Sequence, residues 1–351
     1  QAQFNGPVYY ESANQENSLT TYQSENLTQS TYFRVQVTSD YGCGTEFTEP
    51  VFINVFDSLT SGSIGNEQEI CFADNPEMHE FIIPPTGADG NYTYLWEQSL
   101  DGINFSEANW VNNNESYLSE ALTQSTYYRV NVTSDFGCGS LTTNTIKDSV
   151  YQQMTAPIIS EEQSICYNTT PQALNMIAPA TGGGDISYIY QWQESADGIQ
   201  WEDIDDFDDT LQPESLSSST YYRLSARSNF NCGPVFSEPV FIEVYEPLNS
   251  GTISNNQNIC YDTPASELEF DINPSGADGN YSFLWQQAQD NFTYQSANQE
   301  NSQTTYQSEN LTQSTYFRVQ VTSNYGCGIT YTEPVFINVY NEFLPGSISS
   351  N

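Results

Sequence analysis

The cysteines are the residues whose type and spacing most clearly indicate chemistry. Those followed by glycine recur at intervals of 95, 94 and 95 residues, and those preceded by isoleucine recur at intervals of 95 and 94. Cysteines scattered this widely, in a chain with a single histidine, favour disulfide bonds over a metal centre. The CG cysteines are Cys43, Cys138, Cys232 and Cys327, and the IC cysteines are Cys71, Cys166 and Cys260.

If each IC cysteine bonds to the CG cysteine of the same repeat, Cys43 has no partner, because its IC counterpart would precede residue 1. Two alternatives stay open: bonds that cross the junctions between repeats, beginning with Cys43–Cys71, and buried free thiols. Disulfide bonds indicate an oxidising, extracellular setting. The bonds predicted within repeats are Cys71–Cys138, Cys166–Cys232 and Cys260–Cys327.

A recurring arginine is the second candidate. The string LTQSTYFRVQVTS stands at 27–39 and again at 311–323, with looser copies between them, although the chain has only 6 lysines and arginines. Strand alternation puts the arginine on the outer face and residues such as Phe33, Val35 and Val37 on the core face. We interpret the arginine as structural, bound to a carboxylate or stacked on an aromatic ring; a repeated ligand site is the alternative. The four arginines are Arg34, Arg129, Arg223 and Arg318.

An acidic run at 202–209, EDIDDFDD, is the candidate metal site. Clustered carboxylate oxygens suit Ca²⁺, the one cofactor we consider, and a solvated acidic loop is the alternative. His79 has no visible catalytic partner and is expected at the surface, and no catalytic motif is present, so we do not expect an enzyme. The candidate metal ligands are Asp203, Asp205, Asp206, Asp208 and Asp209.

Aromatic residues follow the predicted hairpins at Phe105, Trp201 and Tyr294. Together with Trp110 they could stack on sugars, or they could pack within the hairpins. The formal charge of −39 makes nucleic acids and anionic membranes poor partners. No apolar run approaches the length of a membrane span, and a chain that opens on Gln1 is expected to be an excerpt or a processed product.

The cysteine spacing gives a period of about 95 residues, the size of one small β-sandwich. Segments rich in Tyr, Val, Thr and Phe alternate with Gly, Asp and Asn turns, which predicts an all-β chain of tandem antiparallel sandwiches forming an elongated rod. The predicted domains are a partial first segment (1–57), repeat one (58–152), repeat two (153–246), repeat three (247–341) and the start of another repeat (342–351).

The strings IC, YQWQESADGIQW, STYYRL, CG and VFIEV, all within 165–244, resemble immunoglobulin-like repeats of very large Bacteroidota surface proteins, including gliding-motility and biofilm adhesins. The resemblance extends over essentially the whole chain. It departs at QDNFTY (289–294), which replaces an Asp-Gly hairpin, and at Lys147 and Asp148 in the last strand of repeat one. It implies immunoglobulin-like sandwiches, export, often by a type IX secretion system, and anchoring at the bacterial cell surface.

The chain is therefore predicted to be a segment of a long secreted adhesin or extracellular filament that acts as a stalk and in adhesion. The expected partners are glycans or proteins of the cell surface or the environment, and neighbouring copies in a filament. A multivalent carbohydrate-binding array and a passive spacer that carries a terminal functional domain are the alternatives.

Overall fold

The computed structural model describes residues 2–3, 9–13, 19–184, 187–298 and 301–348. Two compact units divide the chain: residues 1–153 with 182–184, and residues 154–181 with 185–351. The first unit holds the first segment and repeat one, and the second holds nearly all of repeat two and the whole of repeat three. None of the described residues forms a helix long and apolar enough to cross a membrane.

The strands of the first unit alternate with turns along the chain. In the first segment they are β1 (Ala2–Gln3), β2 (Thr31–Phe33), β3 (Gln36–Thr38), β4 (Thr45–Phe47) and β5 (Val51–Ile53). From residue 57 to the end of repeat one they are β6 (Asp57–Thr60), β7 (Ser63–Ile64), β8 (Glu69–Ile70), β9 (Phe81–Ile83), β10 (Thr86–Ala88), β11 (Tyr92–Ser99), β12 (Ser106–Glu107), β13 (Thr126–Ser134), β14 (Ser140–Thr142) and β15 (Ile146–Val150).

The second unit repeats one strand order twice. In repeat two the strands are β16 (Ile158–Ile159), β17 (Gln163–Ile165), β18 (Leu174–Ala178), β19 (Tyr188–Ser195), β20 (Glu202–Asp203), β21 (Thr210–Leu211), β22 (Thr220–Ser228), β23 (Val235–Phe236) and β24 (Val240–Val244). In repeat three they are β25 (Thr252–Ile253), β26 (Gln257–Ile259), β27 (Leu268–Ile272), β28 (Tyr281–Ala288), β29 (Gln295–Ser296), β30 (Thr305–Tyr306), β31 (Thr315–Ser323), β32 (Ile329–Tyr331) and β33 (Val335–Val339).

Each repeat of the second unit is a sandwich of a large and a small sheet. In repeat three the large sheet runs β26-β33-β31-β28-β29, with β32 also paired to β31, and the small sheet runs β25-β27-β30. Repeat two has the same order, and repeat one has the equivalent large sheet β12-β11-β13-β15-β8. The all-β prediction of tandem sandwiches is confirmed, with one difference in each large sheet. The short strand before the IC cysteine pairs parallel with the last strand, as Ile259 does with Val339.

The core lies between the two sheets, and the long central strand supplies much of it. Phe317, Val319 and Val321 of β31 are fully buried, as are their counterparts in β13. Each such side chain contributes about 1.5–3 kcal/mol through burial. The predicted core face is therefore confirmed in the repeats. In the first segment it is wrong for Val35 and Val37, which are 56% and 57% exposed because β1–β5 leave them uncovered.

A tryptophan on the neighbouring strand anchors each core. Trp96, Trp192 and Trp285 are fully buried. A buried indole N–H needs an acceptor, and each finds one in the loop that follows the short strand β12, β20 or β29. The Nε1 of Trp285 donates to the Gln303 carbonyl at 3.0 Å, and Trp96 donates to Asn114 at 2.9 Å. The tryptophans therefore fix the loops as well as the sheets.

Repeat one contains a polar pair where the other repeats are apolar. His79 Nε2 lies 2.9 Å from Asp148 Oδ2, and both side chains are 0% exposed. The equivalent positions hold Leu174 with Ile242 in repeat two, and Leu268 with Ile337 in repeat three. The expectation that His79 lies at the surface is therefore wrong. The last strand keeps the register of its counterparts at Asp148, and the buried histidine compensates one oxygen of the carboxylate.

Replacing the buried pair tests this compensation. We expect His79→Leu alone to cost about 3–5 kcal/mol, because it leaves the Asp148 carboxylate buried without its partner. The double variant His79→Leu/Asp148→Ile restores the pair found in the sister repeats, and we expect it to be at least as stable as the natural chain. Hydrogen exchange of the β13 amides measures both effects. A double variant as unstable as His79→Leu would contradict the compensation.

Candidate functional site: the inter-repeat joint and the arginine clamps

A disulfide bond joins repeat two to repeat three. Cys166 and Cys327 are bonded at 2.07 Å, with their Cα atoms 5.3 Å apart, across a sequence separation of 161 residues. Cys71 and Cys232 are also disulfide-bonded, whereas Cys43, Cys138 and Cys260 are free and exposed. The three bonds predicted within repeats, Cys71–Cys138, Cys166–Cys232 and Cys260–Cys327, are therefore wrong.

The large sheet explains why the bonds cannot form within a repeat. Cys260 follows β26, which pairs parallel with the end of β33, and that end lies beside Thr315 at the start of β31. Cys327 lies in the turn after the end of β31. A strand of nine residues is roughly 26 Å long, whereas a disulfide needs Cα atoms within about 7 Å. One repeat therefore carries its IC and CG cysteines at opposite ends.

Two aromatic rings and a hydrogen bond surround the disulfide. Tyr325, two residues before Cys327, donates its hydroxyl to the Ser164 carbonyl at 2.6 Å. Its ring meets Tyr245 edge to face, with centroids 5.1 Å apart. Tyr245 directly follows β24, and its own amide donates to the Ile165 carbonyl at 2.9 Å. We call these residues, Ser164, Cys166, Tyr245, Tyr325 and Cys327, the joint.

The recurring arginines form the second repeated feature, which we call the arginine clamp. The Arg318 guanidinium lies between Tyr294, 3.9 Å from its ring centroid, and Tyr331, at 4.1 Å. Its Nε donates to Gln286 directly across the sheet at 2.8 Å. One side chain thereby ties β31 to the hairpin beyond β28 and to β32. A planar guanidinium suits this arrangement because it stacks through both faces while donating from its edge.

The clamp recurs with substitutions. Arg223 lies between Trp201 and Phe236 and donates to Gln193 at 2.7 Å. Arg34 lies between Tyr10 and Phe47.

In repeat one, Arg129 has a single ring, Phe105 at 4.0 Å, because Thr142 stands where the second aromatic stands elsewhere. There the acceptor is Glu97, at 2.7 Å, in place of glutamine. A charged acceptor therefore replaces the missing stack.

Replacing a clamp arginine by lysine tests the stacking. We expect Arg318→Lys to destabilise the outer part of repeat three by about 1–2 kcal/mol, because an ammonium loses the two-sided stack and the fixed Nε donor. Hydrogen exchange of β31 and β32 measures this loss. Arg227→Lys is the matched control. The exposed guanidinium of Arg227, at the end of β22, donates to Asn231 in the following turn, and the substitution should change stability by under about 0.5 kcal/mol. Equal effects of the two substitutions would contradict the clamp.

The hairpins that carry the clamp aromatics are held by an aspartate in each repeat. Asp101 Oδ1 accepts from the amides of Ile103 and Asn104, each at 2.8 Å. In repeat three, Asp290 accepts from Phe292 and Thr293 in the same way. Asn291 takes the left-handed conformation (φ 60°) that Gly102 takes in repeat one (φ 71°). The string QDNFTY therefore keeps the hairpin that its sequence appeared to lose.

The hairpin aspartates should show this bonding in their titration. The backbone amides of Thr293 and Phe292, followed by the Thr293 hydroxyl, lower the pKa of Asp290 to about 2. A lowered folded-state pKa stabilises the hairpin above the ordinary value of 3.8, and this contribution is lost as the pH falls through about 2. We expect an NMR titration of the Asp290 carboxyl to show that midpoint. Thr293→Val should move the midpoint upward, and an unshifted value in the natural chain would contradict the bonding.

In the acidic run of repeat two, the described carboxylates do not cluster around a common point. Asp203 Oδ1 accepts from Gln193, and Asp206 Oδ1 accepts from the Asp208 amide. The backbone carbonyls of Asp208 and Asp209 accept from Trp192 and Met176. Within the described ranges, no three Asp, Glu, His or Cys side chains form a group that could hold a metal ion. Asp203, Asp206, Asp208 and Asp209 thus make local contacts that hold this loop and its neighbours. The Ca²⁺ site formed by Asp203, Asp205, Asp206, Asp208 and Asp209 stays a prediction.

The comparison with family models matches three segments, residues 60–152, 155–246 and 249–341, to a family described as a domain of unknown function, DUF8696. These segments make up more than half of the chain. The chain belongs to this family. DUF8696 is therefore present here as three tandem copies. No curated protein matches the sequence.

Among solved structures, these DUF8696 repeats are similar to three N-terminal domains of the outer capsid protein Hoc of bacteriophage RB49, at 12% identity and a TM-score of 0.33. That match covers 80% of this chain and 99% of the other. Sidekick-1 immunoglobulin domains 1–4 match at 14% identity and a TM-score of 0.31, and the match covers 92% of this chain and 88% of the other. Domains A168–A170 of titin also match at 14% identity and a TM-score of 0.31, and this match covers 80% of this chain and 98% of the other.

Proposed function

We propose that this chain is a segment of an extracellular stalk that carries mechanical load and takes part in adhesion. The observation that carries the proposal is the disulfide between repeats. A pull on the two ends of the chain passes from Cys166 directly to Cys327, so the 161-residue separation between them is bypassed. Most of repeats two and three is thereby shielded from tension. A bond within one repeat would shield only that repeat.

The finer assignment is a secreted adhesin or filament at a bacterial cell surface. Motif resemblance to Bacteroidota surface repeats supports it, as does the disulfide chemistry, which fits an oxidising exterior. Export by a type IX system belongs to the same proposal. The partners would be glycans or proteins of the surroundings, or neighbouring copies. The charge of −39 keeps such an array soluble and disfavours binding to anionic polymers.

The carbohydrate-binding alternative gains little support from the three hairpin aromatics, although Trp110 is exposed. It depends on the hairpin aromatics presenting open faces to a sugar. Phe105, Trp201 and Tyr294 each lie about 4 Å from a guanidinium instead. One face of each ring is therefore used inside the repeat, as expected for a device that fixes the hairpin.

Single-molecule stretching of the full chain tests the load path. Without reductant, we expect the fully unfolded chain to be shorter than its sequence allows by the residues between the bonded cysteines. Adding dithiothreitol should lengthen it by at least roughly 550 Å, from a separation of 161 residues at about 3.4 Å each, because the reductant also opens the disulfide bonds of Cys71 and Cys232.

Chain that has been reduced and alkylated beforehand is the control, since it should have the longer contour in both conditions. An oxidised chain that reaches full length without reductant would rule out the shielded stalk.

A further inference from the structure

The contact that surrounds the disulfide of the joint occurs a second time in the molecule. Phe56 and Phe136 meet with ring centroids 5.0 Å apart and an interplanar angle of 66°. Phe136 precedes a CG cysteine by two residues, as Tyr325 does. Phe56 takes the sequence position of Tyr245, at the end of VFINVF (51–56) as Tyr245 is at the end of VFIEVY (240–245), and lies three residues after β5. The first segment and repeat one therefore dock through the same pair of positions as repeats two and three.

The cysteine in this second contact is free. Cys138 lies in the same turn as Phe136, is exposed, and occupies the position of Cys327. Its counterpart would be an IC cysteine in the segment that carries Phe56, and the first IC cysteine of the sequence is Cys71, in repeat one. The first segment and repeat one thus form the aromatic contact of the joint. The first segment, however, has no IC cysteine that could bond to Cys138.

The far end of repeat three presents the other half of the same contact. Cys260 is free and exposed at the position of Cys166, and Tyr340 takes the position of Tyr245. The amide of Tyr340 donates to the Ile259 carbonyl at 3.0 Å, which matches the bond that holds Tyr245. Tyr340 is 58% exposed, whereas Tyr245 is half-buried. This surface, formed by Asn258, Cys260 and Tyr340, is therefore preformed and open.

We propose that this surface is the docking site for a further DUF8696 repeat in the same chain, and that Cys260 forms a disulfide with the CG cysteine of that repeat. Cys138 is the matching half of such a bond to a preceding repeat. Under this rule each repeat forms two bonds, one at each end. Repeat three already uses Cys327 toward repeat two and would use Cys260 toward its other neighbour.

The chemistry requires an oxidant of the disulfide class, such as oxidised glutathione. The Cys260 thiolate attacks the oxidant, one glutathione thiolate leaves, and a mixed disulfide forms. The thiolate of the CG cysteine then attacks the Cys260 sulfur and releases the second glutathione. Two protein thiols lose two electrons and two protons in total, and one oxidised glutathione becomes two reduced molecules.

An added repeat tests the proposal in the full chain. Residues 346–351 correspond to 251–256, so a copy of residues 257–341 placed after Asn351 completes a fourth repeat. The IC cysteine of the copy is replaced by serine, which leaves the CG cysteine as the new thiol. The protein is folded with a glutathione redox pair, alkylated with N-ethylmaleimide and mapped by mass spectrometry without reduction.

We expect Cys260 of the natural chain to be alkylated almost completely, and Cys260 of the extended chain to be protected at least tenfold. The protected Cys260 should be linked to the added CG cysteine within one chain. A bond from Cys260 to Cys327, a bond between two chains, or a Cys260 that stays reactive beside a folded added repeat would each overturn the proposal. Burial of the added tryptophan, followed by fluorescence, reports that the repeat has folded.

The aromatic contact gives a second readout that does not depend on final yield. Tyr340→Ser removes the ring that should receive the added repeat, and we expect the Cys260 bond to form about fivefold more slowly, the size expected for one aromatic pair. Tyr340→Phe keeps the ring and should react at the natural rate, since Phe56 serves in the equivalent place. Equal rates for the serine and phenylalanine variants would show that docking does not guide the bond.

Discussion

The parallel pairing of the short IC strand with the last strand of each large sheet determines how the repeats can be linked. This pairing fixes the IC cysteine at the end of the sheet where the repeat finishes, as Ile259 beside Val339 shows. The CG cysteine follows the central strand, whose Ser323 pairs with Tyr281 at the start of β28. The segment just before β28 lies beside the beginning of the repeat, since Ser275 pairs with Asn249, so the CG cysteine lies at that end. Since a nine-residue strand separates the two ends, a bond within one repeat is geometrically impossible. Within the second unit, a bond between an IC and a CG cysteine therefore joins one repeat to the other, as Cys166–Cys327 does.

The arginine clamp has a complementary role on the outer face of the same sheet. The central strand pairs with three other strands of its sheet, as β31 does with β28, β32 and β33. Arg318 uses both faces and an edge of one guanidinium to hold three elements together. The clamp does not bury a charge, because the Arg318 guanidinium stays partly exposed between the two rings. Repeat one, with Thr142 and Glu97 in place of an aromatic and a glutamine, shows that a charge-assisted hydrogen bond can substitute for one ring.

Much of the fold could be predicted from the sequence, because alternation and repeat length act locally. The inward set Phe317, Val319 and Val321 follows from period two alone. The disulfides could not be predicted from counting, since the deciding fact is the register of a three-residue strand with a distant partner. His79 was misjudged because a lone histidine in one repeat suggests the surface. Its burial was indicated by a second, simultaneous difference between repeats. Where repeat two has the apolar Leu174 and Ile242, repeat one has the polar pair His79 and Asp148. For the acidic run, the sequence could not show which of its oxygens are used by the fold, such as the Asp208 carbonyl that accepts from the Trp192 indole.

Bonds between repeats also address a weakness of small sandwiches. A domain of about 95 residues buries only about two thirds of its unfolded surface and is marginally stable by itself. Closing a loop of 161 residues restricts the unfolded chain by about 5 kcal/mol in the chain-entropy model, and that loop belongs to two domains at once. Unfolding either one leaves its end tethered to a folded neighbour, which favours refolding in place. This matters most where similar sequences recur, since 11–56 and 295–340 differ at seven of 46 positions and similar repeats can misassemble with each other. A covalent link between successive repeats keeps each segment beside its proper neighbour, so the Cys166–Cys327 bond also preserves the order of repeats two and three.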